Sequence, residues 1–196
     1  MNKTIKLSIH ILVFIIFSNC SHYVVNSSGY IRPPKNKKFS YKKRFKKLKN
    51  LSVIDTTAIY YLSDSYFYKN SKKYKNGNSY IRFYGDGHFK LQGVKKTPTI
   101  EEVNNPNKGI VGYYYIKGKV VKMQLYSDIN AGSFQLKFGY IDKNTNLILM
   151  HDNPRYDFAI GYDEEKIKRL IKKSPFSPKI YKKTPIQKMV YIKPNW

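Results

Sequence analysis

The chain has 196 residues, of which 41% are hydrophobic and 16% aromatic, with 37 Lys and Arg against 12 Asp and Glu and a formal charge of +25. This suffices for one domain with a core plus an arm, and it is too apolar and aromatic for a disordered polycation. The single cysteine excludes an internal disulfide framework and any thiolate-rich metal site. Lys, Asn, Ile, Tyr and Phe share AT-rich codons, so base composition competes with polyanion binding as the origin of the charge.

Met1 to Cys20 is the first element. Lys3 and Lys6 form a short positive segment, and Leu7 through Phe17 is apolar except for Ser8 and His10. A run this short cannot cross a bilayer, which takes about 20 residues, and its length and flanks are those of a secretory leader. Small polar Ser18 and Asn19 follow, then the cysteine. The pattern Phe17-Ser18-Asn19-Cys20 resembles the lipobox of bacterial lipoproteins. That resemblance implies that residues 1–19 are removed, that the Cys20 thiol receives a diacylglyceryl group, and that the new amino terminus is acylated. Two or more acyl chains anchor stably where one binds only marginally. The implied location is a bacterial cell envelope, with the protein facing the periplasm or the cell surface and membrane lipid as its partner through Cys20.

Residues 20–50 are expected to form a basic tether. Pro33-Pro34 stiffens the segment, and Lys35, Lys37, Lys38, Lys42, Lys43, Arg44, Lys46, Lys47 and Lys49 follow without an acid among them. Charge of one sign at this density repels itself and resists folding. Three roles compete for it: a solvated spacer, a contact with anionic headgroups worth about 1 kcal/mol per cation, and binding of nucleic acid with Phe39, Tyr41 and Phe45 as stacking platforms. An adjoining anchor favours the first two.

From residue 51 to 196 the pattern is that of a mainly β domain. Strands are expected at Thr57–Leu62, Tyr80–Tyr84 and His88–Leu91, the last two joined by the Gly85-Asp86-Gly87 turn. Val111–Lys117 and Lys119–Tyr126 flank Gly118, and Phe134–Tyr140 pairs with Leu147–Met150 through Asp142–Asn146. Asp163-Glu164-Glu165 opens a helix that Lys172-Lys173 closes, with Ile167, Leu170 and Ile171 as one apolar stripe. Short strands at Lys179–Lys183 and Lys188–Ile192 complete an antiparallel meander, and closure into a barrel would remove its exposed edges.

The hairpin Tyr80-Ile81-Arg82-Phe83-Tyr84-Gly85-Asp86-Gly87-His88-Phe89 and the pair Gly112–Val120 resemble, over Ser79 to Met150, the lipocalin-like domains of bacterial envelope lipoproteins. The resemblance implies a closed or curled barrel and a small hydrophobic ligand inside it. The competing reading is an anchored interaction module with a filled core, whose basic surface meets anionic lipid, lipopolysaccharide or an acidic protein.

No catalytic motif is present: there is no nucleophile elbow, phosphate-cradling glycine loop or His-Glu-x-x-His. The expectation is a non-enzymatic protein without cofactor or metal. Asp86-Gly87-His88 and His151-Asp152-Asn153 place a histidine beside an aspartate, but in turns, where the acid bonds to the backbone. Glu101-Glu102 is expected to be a solvated pair in a loop.

Overall fold

The structure, a computed structural model, describes residues 23–47, 53–151 and 163–193. Its centre is a closed eight-stranded barrel. The barrel strands are β3 (Ala58–Leu62), β6 (Ser79–Phe83), β7 (His88–Gly93), β8 (Ile110–Lys117), β9 (Val120–Ser127), β10 (Ser133–Ile141), β11 (Leu147–Leu149) and β12 (Lys179–Pro185). Each pairs antiparallel with the next, and β12 closes on β3 with Lys183 opposite Tyr60 and Pro185 opposite Ala58. Two short hairpins lie outside the barrel: β1 (Val24–Val25) with β2 (Ile31–Arg32), and β4 (Tyr66–Tyr68) with β5 (Ser71–Lys75). The helices are α1 (Tyr41–Lys47), α2 (Ile100–Asn104) and α3 (Glu164–Lys173).

The three predicted hairpins form. Gly118, at φ +60, turns β8 into β9 with Lys117 opposite Val120. Asp142 Oδ1 accepts from the Asn144 and Asn146 amides at 2.9 and 2.8 Å, which fixes the turn from β10 to β11. Partners across strands share a face. Phe89, Gly112 and Leu125 therefore line the interior together, as do Tyr114 and Met123, and Tyr60, Ile81 and Leu91. These side chains join Phe83, Ile116, Val121, Leu147, Leu149 and Tyr181 in one buried cluster. The interior is tight where it passes the glycines: a Cβ on Gly112 would collide with the Phe89 ring, and one on Gly139 with the Ile148 carbonyl and the Leu149 side chain. Gly139→Ala is expected to lose about 1–3 kcal/mol by overpacking, read as a lower urea midpoint at unchanged slope.

The outer wall is covered as well, which is why every residue of β9 is buried. Helix α3 places Ile167 on Val120, Phe138 and Met150, with Leu170 and Ile171 beside them. Its cap is Asp163, which accepts from the Lys166 amide at 2.8 Å, and Lys69 from the β4–β5 hairpin donates to the last-turn carbonyls of Ile171 and Lys172. Helix α2 places Val103 on Ile59 and Tyr80.

Three expectations are corrected. The segment read as an unfolded tether forms α1 and buries Phe39, Tyr41 and Phe45 against the barrel, because their aromatic area outweighs the repulsion of cations that point outward. The loop carrying Glu101 and Glu102 contains α2, and Glu102 completes a capping box with the N-cap Thr99: Thr99 accepts from the Glu102 amide while Glu102 accepts from the Thr99 amide at 2.8 Å. Lys188–Ile192 is no strand. The closed barrel offers it no free edge, and Lys188 sits at φ +60, so the segment crosses the outer wall as a strap.

Candidate functional site

The arm after the expected anchor is tied down early. Asn26 Oδ1 accepts from the Ser28 and Tyr30 amides at 3.0 and 2.9 Å, and its Nδ2 donates to Asn107 O at 2.8 Å. Arg32, buried on the wall, donates to Gly109 O at 3.0 Å and to Asn107 O at 2.6 Å. Between these anchors and Cys20 stand Tyr23, Val24 and Val25, exposed by 36%, 52% and 54%.

The basic run then lies along β8 and β9. The Tyr41 amide donates to Gln124 Oε1 at 3.0 Å, and the Tyr41 and Tyr115 rings meet edge to face at 4.8 Å. Phe39 packs on Tyr113 and Phe134, and Phe45 reaches the rim against Tyr114 and Gly87. Tyr41 and Phe45 are four residues apart, so they share the inward face of α1. The structure divides the expected contact residues in two. Lys35, Lys38, Lys42 and Lys43 are exposed, whereas Lys37 donates to Gly132 O at 3.1 Å and Arg44 to the Tyr115 hydroxyl at 3.2 Å. Cys20 and Lys49 lie outside the described residues, as do the side chains of Lys46 and Lys47.

A second concentration of polar groups was not legible in the sequence. It lies on the outer wall of β6 and β7, beneath α2 and the strap. Lys90 is fully buried; its Nζ donates to Glu102 O and Asn105 O, both at 2.6 Å, and lies 5.4 Å from the centre of the Tyr80 ring. Burial, with Arg82 adding repulsion, pushes the Lys90 ammonium down to about 7. Arg82, 2% exposed, donates to Val103 O at 2.8 Å, Asn104 Oδ1 at 3.1 Å and Val190 O at 2.5 Å. Alternation on β6 and β7 marks Arg82 and Lys90 as outward, and the covering helix and strap make them buried.

Beside them runs a chain of hydrogen-bonding groups. The Tyr191 hydroxyl donates to Asp86 Oδ2 at 2.9 Å, His88 Nδ1 lies 2.8 Å from the same oxygen, and His88 Nε2 meets the Tyr113 hydroxyl. Burial pushes the Asp86 carboxyl up, but the contacts with His88 and the Tyr191 hydroxyl outweigh it and hold it down to about 2. Asp86 Oδ1 also accepts from the His88 amide at 3.2 Å, so the turn role read from the sequence is present together with the side-chain contact. His151 stacks on Phe176 at 5.2 Å and meets Phe67 edge to face at 4.1 Å.

No family model, curated protein or solved structure matches this chain. Its chemistry therefore rests on the residues themselves. Among the described residues no group of three or more His, Cys, Asp or Glu comes together, and no helix is long and apolar enough to cross a membrane. What the arrangement can do is bind: one outward cationic face on the arm, and a buried pair of cations with phenol and carboxylate neighbours on the opposite flank of β7.

Proposed function

We propose that this chain is a bacterial envelope lipoprotein, anchored through acylated Cys20, whose barrel is a non-enzymatic interaction module that lays its basic arm on an anionic surface. The observation that carries the reading is the position of the lysines on α1. Lys42 and Lys43 occupy the first turn, with no acid there, and remain exposed. A helix dipole disfavours cations at its N-terminus by about 0.3–1 kcal/mol each. Helix stability therefore does not account for them; Lys42 reaches the Tyr113 ring at 5.5 Å, and an anionic partner would account for the outward charge that remains.

Two further features support it. From Cys20 to the docked Asn26 an extended chain spans at most roughly 20 Å, so an acylated cysteine would hold the barrel close to the bilayer, with exposed Tyr23, Val24 and Val25 at the interface. The filled interior at Gly112 and Gly139 favours a surface role over a small hydrophobic ligand within the barrel.

Intact mass of the membrane-extracted protein tests the anchor: acyl mass is expected on the full chain and lost in Cys20→Ser. The cationic face is tested separately, with the Cys20→Ser protein and vesicles of phosphatidylglycerol and phosphatidylcholine. Changing Lys35, Lys38, Lys42 and Lys43 to Glu should weaken binding by roughly a thousandfold at low ionic strength, from about 1 kcal/mol per cation, and added salt should weaken the parent likewise. Binding that ignores both salt and the substitutions would remove the headgroup role.

A further inference from the structure

An antiparallel barrel has two ends, and the connections sort onto them. One end bears the links from β3 to β6, β7 to β8, β9 to β10 and β11 to β12; the other bears the Gly85-Asp86-Gly87, Gly118 and Asp142–Asn146 turns and the strap. The arm enters at the first end, where Asn26 and Arg32 are bonded to Asn107 and Gly109 of the β7–β8 link. This arm end displays large side chains that the core does not use: Val24 and Val25 on β1, Ile129 between β9 and β10 (55% exposed), and Tyr68 and Tyr74 on the β4–β5 hairpin (38% and 53%).

The hairpin is built for display. The barrel closes without it, and a two-stranded hairpin alone is marginal in water. Here it is fastened along one side. Phe67 packs on His151 at 4.1 Å and on Phe176 at 5.2 Å, and Tyr68 stacks on Phe176 at 5.4 Å. The Lys69 amide donates to Pro175 O at 3.1 Å, and the Ser177 amide to Phe67 O at 3.0 Å. What this scaffold holds toward solvent is Tyr68 and Tyr74, edge to face at 6.0 Å, with exposed Lys72 and Lys73 beside them. The Lys73 ammonium lies 5.4 Å from the centre of the Tyr74 ring. Asp64, the acid of this link, is paired with Lys75 at 2.5 Å, so the outward charge is positive. Exposed tyrosine rings with lysines alongside suit a bilayer interface: the rings sit at headgroup level and the ammonium groups reach the phosphates.

The place of Cys20 selects this end over the other. The strap end also exposes apolar side chains, Val190, Tyr191 and Ile192. The two ends are separated by strands of eight residues, β8 and β9, about 20 Å once the tilt of a barrel strand is allowed for. The chain from Cys20 to Asn26 spans at most roughly 20 Å. Only the arm end can therefore rest on the bilayer with slack in that chain.

We propose that the arm end is a membrane-docking face: the β4–β5 hairpin and the β9–β10 turn enter the headgroup layer of an anionic bilayer, with Tyr68, Tyr74 and Ile129 at the interface and Lys72 and Lys73 on the phosphates. This rests on the anchored reading and adds to the arm a second contact made by other residues.

The test reconstitutes the acylated full chain in vesicles of phosphatidylglycerol and phosphatidylcholine. Acylation occupies the one native thiol, so a single introduced cysteine carries a fluorophore. Labels at Asn70→Cys and Ile129→Cys should be quenched about twofold or more by lipid bearing a nitroxide at headgroup depth, whereas a label at Lys143→Cys, in the turn at the strap end, should not. Quenching at position 129 should fall by about half or more when Lys72 and Lys73 are both changed to Glu, when Tyr68 and Tyr74 are both changed to Ser, or in phosphatidylcholine alone. All four side chains are exposed, and an unchanged thermal midpoint checks that the fold is kept. Protein that floats with the vesicles but leaves positions 70 and 129 unquenched, or quenches position 143 as strongly, overturns the docking end and spares the anchor. Quenching that survives both double substitutions removes these side chains from the contact and overturns the proposal likewise. Protein that does not float, with Cys20 free to react, overturns the anchor and the docking end with it.

Discussion

Replacing Phe45 by alanine should cost the protein about 3–5 kcal/mol, the range for deleting a buried aromatic ring from a core. The ring is 6% exposed, meets Tyr114 edge to face at 5.6 Å, and lies against the Hα side of Gly87. Its removal opens the rim of the barrel just where the chain turns from β6 to β7. Gly87→Ala attacks the same contact from the other side, since position 87 sits at φ +90 and a Cβ there would enter the Phe45 ring. If the arm were a tether, Phe45→Ala would not matter for the barrel, and Gly87→Ala would cost only the backbone strain of its positive φ. Urea unfolding of both variants decides it: an unchanged midpoint for Phe45→Ala would mean that α1 is not part of the core in solution.

Stability should also rise with pH from about 7 toward about 10, through Lys90. Above its folded value of about 7 the buried amine sheds its proton, while in the unfolded chain it keeps it until an ordinary lysine titrates near 10.4. Within that window the unfolded state binds the extra proton, so each pH unit adds up to about 1.4 kcal/mol. Below pH 7 both states are charged and the folded one bears the full cost of a desolvated ammonium beside Arg82 and Lys108, relieved only in part by Glu102. Above pH 10 the trend reverses. Burial holds the Tyr84 and Tyr113 phenols up to about 12, so the unfolded chain loses those protons first. A maximum between the two limbs is the expected profile. In Lys90→Met the neutral-to-alkaline limb should flatten, with about 1–3 kcal/mol lost for each of the Glu102 and Asn105 carbonyls left without a donor. Urea unfolding at several pH values, parent against variant, reads both effects. A slope that survives in the variant assigns it to another group.

The barrel was legible because its strands alternate and its turns carry Gly118, Gly85-Asp86-Gly87 and Asp142–Asn146, local signals that need no knowledge of the rest of the fold. The helix α3 was legible for the same reason, with Asp163 and the lysines at its two ends. What failed was anything decided by a second layer. In the arm, charge density hid a real packing signal, the Tyr41 and Phe45 pair one helical turn apart. In the loop before β8, Thr99 and Glu102 spell a capping box three residues apart that a reading of paired acids passes over. Met189 and Tyr191 alternate like a strand, but alternation says nothing about whether an edge is available. The buried cations could not have been read at all: Arg82 becomes one only because α2 and the strap cover it, and its acceptors Asn104 and Val190 come from distant parts of the chain.

The junction of β3 with β12 has a consequence for how the protein is made. Ala58 pairs with Pro185 across most of the length of the domain, and a loop closure this long is slow to form. Until then β3, whose five residues Ala-Ile-Tyr-Tyr-Leu carry no charge, presents an open row of amides and carbonyls that a neighbouring molecule could extend into an aggregate. Its eventual partner is better guarded, with Lys179, Lys182, Lys183 and Pro185 along it. Crowding of newly made chains would therefore strike first at residues 58–62, and Tyr61→Lys, at the one position of that strand that is not buried, should raise the yield of soluble protein more than a lysine added to β12.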